Sequence, residues 1–265
     1  MLDEVNLRRY ETNSVGRTYA RSEGLQAPEA VLLEQLRDVL AGVRILDLGV
    51  GAGRTTPHLL AISEDYVGVD YSSRMVELCR GRFPDTRFEV HDARDLSSFR
   101  DGEFGFVMFA FNGIDCLEHP DRLSAFREIH RVLADGGWFV FSSHNRDSPP
   151  SGFRFPAIDP AHHPLRRAAR AAAWVPAAGR ASWNRVRLRR YEVDTDSYAI
   201  RNDSAHEHAL LTYYIRAADQ RAQLQTVGFT ADVATYALDG KSLRPDEPCD
   251  DAWIYYCVQK QPAAA

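Results

Sequence analysis

The stretch from Val43 to Arg54 constrains this chain more than any other. An apolar run carrying Asp47 near its end is followed by three glycines at alternate positions, Gly49, Gly51 and Gly53. Such a run predicts a buried strand that turns sharply into a helix, with glycines where the backbone closely approaches a ligand. The unpaired N–H groups at the start of the helix would face that ligand. A plain strand-to-helix turn needs fewer glycines, so the pattern favours a nucleotide-type site.

The spacing of the three glycines excludes two common kinds of nucleotide-binding site. A dinucleotide fingerprint would place its third glycine at position 54, where the chain has Arg54, and no Lys follows as a phosphate-binding loop requires. The pattern Asp-x-Gly-x-Gly-x-Gly resembles the first motif of class I S-adenosylmethionine-dependent methyltransferases. This resemblance implies S-adenosyl-L-methionine as cofactor and S-adenosyl-L-homocysteine as product. It implies that Asp47, Gly49, Val50, Gly51 and Gly53 form the cofactor loop.

A second short strand, residues 65–70, ends in Asp70, which lies 23 residues after Asp47. A strand-end carboxylate at about this spacing binds a ribose, because it can accept hydrogen bonds from both hydroxyls. The segment Gly-Val-Asp-Tyr-Ser-Ser-Arg-Met resembles the family's second cofactor motif, in which Tyr71 and Met75 would flank the adenine. Core packing is the alternative interpretation of Met75.

Two further strand ends complete the expected cofactor site. Residues 87–91 alternate as a strand and run into Asp92-Ala93, which resembles the family motif that binds the adenine edge. Residues 104–111 form an apolar run typical of a central strand. By the same resemblance Phe111 and Asn112, at its end, lie near the methyl group. An N-terminal segment folds over the cofactor in this family, which makes candidates of Tyr10, Arg17 and, most of all, Tyr19.

Strands and helices alternate at a spacing that predicts an α/β fold with a doubly wound, mostly parallel sheet. The resemblance implies a seven-stranded Rossmann-like sheet with an antiparallel C-terminal hairpin. In such sheets ligands bind beyond the carboxyl ends of the strands, where all of the residues named above fall. We expect the cofactor core in residues 1–144, an inserted cap in 145–209 and completion of the sheet in 210–265.

The expected cap differs from the rest of the chain in charge. Ten arginines, no lysine and two acids lie between His144 and Arg190, whereas the whole chain of 265 residues has a net charge of −5. A basic insert over the substrate side favours an anionic small-molecule acceptor. A solvated helix of drifting Ala-Arg composition is the alternative interpretation.

The bulk properties are those of a globular protein of the cytoplasm. The chain has 45% hydrophobic and 26% charged residues, an acid-bearing start without a signal-peptide core, and no apolar run of the ~18 residues that a membrane span needs. Four cysteines without C-x-x-C spacing predict neither a metal site nor a disulfide framework.

Methyl transfer to oxygen requires a base, because the proton of the hydroxyl must leave. The candidates near the strand ends are His144 and Asp115, then His119, with His206 and His208 at the boundary of the cap. We place His144 first because it directly follows the fifth predicted strand, residues 138–143. A histidine hydrogen-bonded at the sheet edge is the alternative interpretation.

Three functions fit these patterns. The first is an S-adenosylmethionine-dependent methyltransferase that O-methylates a small anionic metabolite or sugar. The second is a nucleic-acid methyltransferase, which the acidic remainder of the chain and the absence of Asn-Pro-Pro-Tyr or paired-Cys motifs oppose. The third is a non-catalytic cofactor-binding partner or a peripheral membrane protein that uses the Arg/Trp-rich insert. The sequence predicts no oligomeric state.

Overall fold

The structure is a computed structural model that describes Asn6 and residues 24–149, 178–202 and 208–261. Helices and strands alternate through the first part of the described chain. In chain order they are α1 (Ala27–Leu40), β1 (Ile45–Leu48), α2 (Thr56–Leu60), β2 (Tyr66–Asp70), α3 (Ser73–Arg82), β3 (Arg87–Val90), β4 (Phe104–Phe109), a 3-10 turn (Gly113–Cys116), α4 (His119–Val132) and β5 (Leu133–Asn145).

The second part begins within the expected cap. Its elements are α5 (178–188), a 3-10 turn (Arg189–Tyr191), β6 (Val193–Asp194), β7 (Tyr198–Asn202), β8 (Leu211–Ile215), α6 (Ala217–Val227), β9 (Phe229–Tyr236), β10 (Ser242–Leu243) and β11 (Trp253–Lys260). Gly228 ends α6 with φ of +109°, a left-handed value that glycine adopts without steric cost.

One sheet holds the described strands together, in the order β10-β9-β11-β5-β4-β1-β2-β3. The five strands from β5 to β3 run parallel, and β11 lies antiparallel between β5 and β9. The predicted doubly wound, mostly parallel sheet with an antiparallel C-terminal pair is therefore confirmed. The long apolar runs of β1, β2 and β4 are buried along almost their whole length because helices cover both faces.

The predicted count of seven strands is too low, because the described residues already form eleven strands of the sheet. Strand β10 extends the edge beyond β9, and β6, β7 and β8 form a small sheet beside the core. The small sheet attaches because β5 runs beyond the predicted residues 138–143, so that His144 and Asn145 pair with Tyr214 and Ile215 of β8. Strand β8 thus pairs with both the core and the insert, and the division of the chain at residue 209 stays a prediction.

Two apolar cores fill the space on the two faces of the central sheet. One lies under α4 and α6 and includes stacked rings of Phe139 and Phe141, whose centroids are 4.7 Å apart. The other lies under α1 and α3 and includes Leu32, Leu36 and Met108. A third cluster, around Leu188 and Tyr213, attaches α5 to the small sheet.

The space around two glycines, Gly68 and Gly81, shows how tightly the sheet and the helix surface pack. A Cβ on Gly68, in the middle of β2, would lie 2.6 Å from the Phe88 ring and 2.9 Å from the Tyr66 hydroxyl, whereas a Cβ on Gly81 in α3 meets nothing within 4 Å. We expect Gly68→Ala to lower the free energy of unfolding by about 1–3 kcal/mol, because overpacking displaces buried rings. Gly81→Ala should raise it by about 0.5–1 kcal/mol, because alanine loses less backbone entropy in a helix. Urea unfolding of both variants checks the pair, and equal effects would contradict this account.

Candidate active site

A pocket opens at the carboxyl ends of β1, β2 and β4 and encloses about 1130 Å³, including the space at its mouth. It contains ten of the predicted cofactor residues: Asp47, Gly49, Val50, Gly51, Asp70, Tyr71, Met75, Asp92, Ala93 and Phe111. Segments up to 64 residues apart in sequence meet here because parallel strands bring their ends to one edge. Gly53 and Asn112 adjoin this pocket without lining it.

The glycine loop is shaped by two close approaches. Gly49 and Gly51 have φ of +61° and +57°, and a Cβ on Gly49 would lie 2.6 Å from the Phe109 ring. Gly53 also has positive φ, but its Cβ would meet the Phe83 ring at 2.7 Å, so its glycine serves packing against α3. The loop therefore presents bare backbone to the pocket at Gly49 and Gly51.

Asp47 holds this loop from beneath. Its Oδ2 accepts hydrogen bonds from the Thr55 hydroxyl at 2.6 Å and the Tyr66 hydroxyl at 2.9 Å. Burial raises the pKa of Asp47 to about 6 in spite of these two donors. The carboxylate thus ties the end of β1 to the start of α2.

Asp70 joins β2 to the same loop from the pocket side. Its Oδ2 accepts a hydrogen bond from the Gly51 N–H and its Oδ1 from the Ser72 N–H, each at 2.9 Å. Burial raises its pKa to about 6, and the two N–H groups oppose that shift. A carboxylate has about four acceptor positions, so Asp70 retains capacity for further donors from a ligand in the pocket.

The far wall of the pocket is formed by Met75 and the Asp92-Ala93 turn. The Met75 side chain is 2% exposed, so it serves the core as well as the pocket. The Asp92 carboxylate is held by Arg94, whose guanidinium donates to both oxygens and also to Asp121. Arg94 lines the pocket but was not predicted, because its partner Asp121 is distant in sequence.

Arg54 is the most informative residue that sequence reasoning missed. Its guanidinium donates to both carboxylate oxygens of the fully buried Glu29, at 2.5 and 2.7 Å, and lies 5.2 Å from the centre of the Phe111 ring. The Tyr255 hydroxyl donates to the same carboxylate at 2.8 Å. This cluster ties α1 and β11 to the glycine loop, and Arg54 lines the pocket.

The end of β4 carries unusual backbone geometry. Phe111 and Asn112 are consecutive non-glycine residues with φ of +54° and +59°. A bulky residue in this region costs on the order of 1–3 kcal/mol and persists where the surroundings enforce it. The turn presents the Phe111 ring, which is 40% exposed, to the pocket, and it places the Asn112 amide beside His144.

His144 and Asp115, both predicted as catalytic, form a hydrogen-bonded pair next to Asn112, and neither of them lines the pocket. Asp115 Oδ2 is 2.7 Å from both the His144 backbone nitrogen and Nδ1. Oδ1 of the same carboxylate accepts from Arg122 Nη1 at 2.6 Å and from the Ser143 hydroxyl at 2.7 Å. An ionised carboxylate only accepts, so Nδ1 of His144 carries the proton and Nε2, 3.5 Å from the Asn112 amide nitrogen, is the basic nitrogen.

This arrangement assigns different roles to the two residues. Asp115 is 1% exposed, and both of its carboxylate oxygens already accept hydrogen bonds, from Arg122, Ser143 and His144. It is therefore unsuited to take a proton from a substrate. The His144 side chain is 17% exposed and lies between the rings of Tyr214 and Trp253, at 5.1 and 6.1 Å. Asp115 therefore orients His144 instead of acting as a second base.

The remaining candidates lie apart from the pocket or outside the described residues. His119 is bonded through Nδ1 to the Tyr213 hydroxyl at 2.7 Å, and burial followed by the charge of Arg122 lowers its pKa. His208 is buried before β8. Tyr10, Arg17, Tyr19 and His206 lie outside the described residues. Within the described ranges, His, Cys, Asp and Glu side chains form no group that could hold a metal ion, and every helix is too short or too polar to cross a bilayer.

The raised pKa of Asp70 makes stability depend on pH in a defined direction. Its folded-state pKa of about 6 exceeds its ordinary value of 3.8, so its contribution to stability is complete below pH 4 and is lost as pH rises through 6. We expect Asp70→Asn, compared with the wild type, to gain about 1 kcal/mol of unfolding free energy between pH 5 and pH 7. Urea unfolding of the ligand-free proteins at both pH values measures this difference. A difference that stays constant would contradict the burial assigned to Asp70.

Comparison with known proteins gives a consistent result. The sequence profile of the methyltransferase domain family matches residues 45–137. The chain is 32% identical over 120 residues to magnesium-protoporphyrin O-methyltransferase of Rhodobacter capsulatus, covering 43% of this chain and 49% of the relative. It is 30% identical over 119 residues to a ubiquinone biosynthesis O-methyltransferase of Thiobacillus denitrificans, covering 42% and 49%. The chain thus spans about half the length of the curated relatives that it matches.

The fold is shared over a longer stretch. The Burkholderia thailandensis 1,6-didemethyltoxoflavin-N1-methyltransferase, solved with 1,6-didemethyltoxoflavin and S-adenosylhomocysteine, superposes with a TM-score of 0.58 at 12% identity and covers 97% of this chain and 88% of that one. The matched domain, the sheet order and the strand-end pocket all agree with the resemblance seen in the sequence. Residues 45–137 match the methyltransferase domain family, and the fold of the described chain is that of class I, Rossmann-like S-adenosylmethionine-dependent methyltransferases.

Proposed function

We propose that this chain is an S-adenosylmethionine-dependent methyltransferase that methylates a hydroxyl of a small molecule, with His144 as the base. The observation that carries the proposal is the Asp115–His144 pair beside the strained turn at the end of β4. When bound, S-adenosylmethionine supplies a methyl group on a positively charged sulfur. S-adenosylhomocysteine is the product.

The pocket fits this cofactor in three respects. Gly49 and Gly51 have no side chain, so their backbone can contact the methionine end of the cofactor. A side chain at either position would be strained at positive φ, and at Gly49 it would also collide with the Phe109 ring. Asp70 accepts only two backbone hydrogen bonds and so keeps acceptor capacity for ribose hydroxyls, and its burial raises its pKa to about 6 in spite of these two donors. Tyr71, Met75 and the Asp92-Ala93 turn form the wall at which we place the adenine.

The chain's own residues contribute chiefly position and proton transfer. The enzyme must hold the hydroxyl oxygen in line with the methyl group, since alignment supplies much of the rate enhancement in displacement reactions. The hydroxyl proton passes to Nε2 of His144 as the oxygen–methyl bond forms. The imidazolium that results is stabilised by Asp115 through Nδ1–H, and the buried ion pair with Arg122 holds Asp115 in place.

For the acceptor we propose an anionic metabolite or a sugar. The support is the arginine content of residues 144–190. Relatives include O-methyltransferases of magnesium-protoporphyrin and of ubiquinone biosynthesis, which favours a small organic acceptor over nucleic acid. We also propose the cytoplasm as the place of action, on the composition of the chain.

Cofactor binding is tested by Gly51→Val. The substitution places a branched side chain at φ of +57° on the loop that faces the pocket, so we expect the calorimetric signal for S-adenosylhomocysteine to disappear. Gly81→Ala, on the exposed side of α3, is the matched control and should bind normally. If the wild-type chain binds neither S-adenosylmethionine nor S-adenosylhomocysteine, the proposed function is wrong.

The base is tested by Asp115→Asn, and the assay is the formation of S-adenosylhomocysteine from S-adenosylmethionine in the presence of a panel of hydroxylated acceptors. An amide at position 115 can donate to Nδ1 and so shift the His144 proton to Nε2, which removes the base. We expect kcat to fall on the order of ten-thousandfold, as in Ser-His-Asp triads, and stability to fall as well, because Arg122 loses its buried counter-ion. His144→Gln leaves that ion pair intact and should be equally inactive, with cofactor affinity unchanged. Full activity of His144→Gln would exclude His144 as the base.

A further inference from the structure

We call residues 178–190 the arginine helix; they comprise α5 and the first two residues of the 3-10 turn. This segment carries five arginines and no acid. Its exposed face has no role in the proposed methyl transfer. Two large apolar side chains on it are strongly exposed, Trp183 at 69% and Val186 at 75%. The whole chain has a net charge of −5, so this segment is a strongly basic region of an acidic protein.

The two faces of the helix are clearly separated. Ala181 and Leu188, seven residues apart, point inward and are 4% and 1% exposed. Leu188 packs in the cluster of the small sheet with Ile200 and Tyr213. Trp183 and Val186, three residues apart, share the opposite face, as the period of 3.6 residues requires. The apolar pair is therefore held outward by a helix that is anchored on its other side.

Basic side chains flank the apolar pair. Arg187 lies four residues after Trp183, and Arg190 four residues after Val186, so both are neighbours of the pair on the helix surface. Arg185, Arg187 and Arg189 are exposed and form no ion pair with another residue of the described chain. Their charges are available to a partner because no carboxylate of the described fold neutralises them.

We propose that the arginine helix docks this enzyme on an anionic membrane surface. A tryptophan and an aliphatic side chain inside a ring of arginines match the boundary of a bilayer, where the apolar groups enter the acyl region and the guanidinium groups meet lipid phosphates. A DNA duplex would use the arginines but would leave Trp183 and Val186 without an apolar environment, because its bases are already stacked on one another. A second copy of this acidic chain would satisfy the charges only in part, because each copy presents the same basic face.

The test is co-sedimentation of the full chain with vesicles of phosphatidylcholine alone and of phosphatidylcholine mixed with phosphatidylglycerol. We expect binding to the mixed vesicles, weakened by added salt, and little binding to the neutral ones. The triple variant Arg185→Gln, Arg187→Gln, Arg189→Gln should bind the mixed vesicles on the order of a hundredfold more weakly. The double variant Trp183→Gln, Val186→Gln should also lose binding while its charge is unchanged.

The matched control removes three positive charges elsewhere, as Arg37→Gln, Arg100→Gln, Arg244→Gln, whose side chains are 55%, 87% and 86% exposed. It should bind vesicles like the wild type. All variants should bind S-adenosylhomocysteine normally, which shows that they fold and separates this inference from the proposed function.

Three outcomes would overturn the inference. In the first, the control variant and the triple variant bind the mixed vesicles equally well. In the second, the wild-type chain does not bind the mixed vesicles. In the third, a DNA duplex at equal phosphate concentration releases the chain from the vesicles. A concentration-dependent dimer that the Trp183/Val186 variant abolishes, without any vesicle binding, would assign the surface to a second copy instead.

Discussion

The buried ion pair between Arg122 and Asp115 is the interaction on which the arrangement of the site depends. Arg122 is fully buried and donates to Asp115, Ser143, Gln220 and Gln223, which belong to the 3-10 turn, β5 and α6. A guanidinium can be buried in this way only when its donors are satisfied, because an unpaired internal charge costs several kcal/mol. The demand for these partners fixes α4, α6 and β5 relative to one another, and it holds Asp115 where it can orient His144.

Carboxylates at the strand ends show how one residue type serves different purposes. Asp47 accepts from two side-chain hydroxyls and fastens the glycine loop to the sheet. Asp70 accepts from two backbone N–H groups and keeps room for a ligand, whereas Asp115 is saturated by Arg122, Ser143 and His144. The number and charge of the donors around each carboxylate distinguish the anchoring Asp47 and the saturated Asp115 from Asp70, which we propose to bind the ligand.

The described part of the insert joins the core through β8, the strand that follows it. Strand β8 pairs with β5 at His144 and with β7 along five positions, so the small sheet continues the core at the position of the proposed base. The aromatic side chains around His144 come from β8 and from β11, two elements far from it in sequence. The arginine helix rests on the outer side of this same small sheet through Leu188. The insert therefore carries the surface proposed to meet a membrane, and through β8 it is connected to the strand that bears the proposed base.

The sequence by itself determined the order of strands and helices, the glycine loop and the ten pocket residues at strand ends. These features are local: a strand, its turn and the residue at its end lie within a few positions of each other, and parallel strands bring their ends to one edge. Only the tertiary structure decided that Asp115 orients His144 across 29 residues, that Arg54 pairs with Glu29, and that four strands extend the predicted seven. Such pairings depend on which buried charges meet in three dimensions, and no spacing along the chain encodes that.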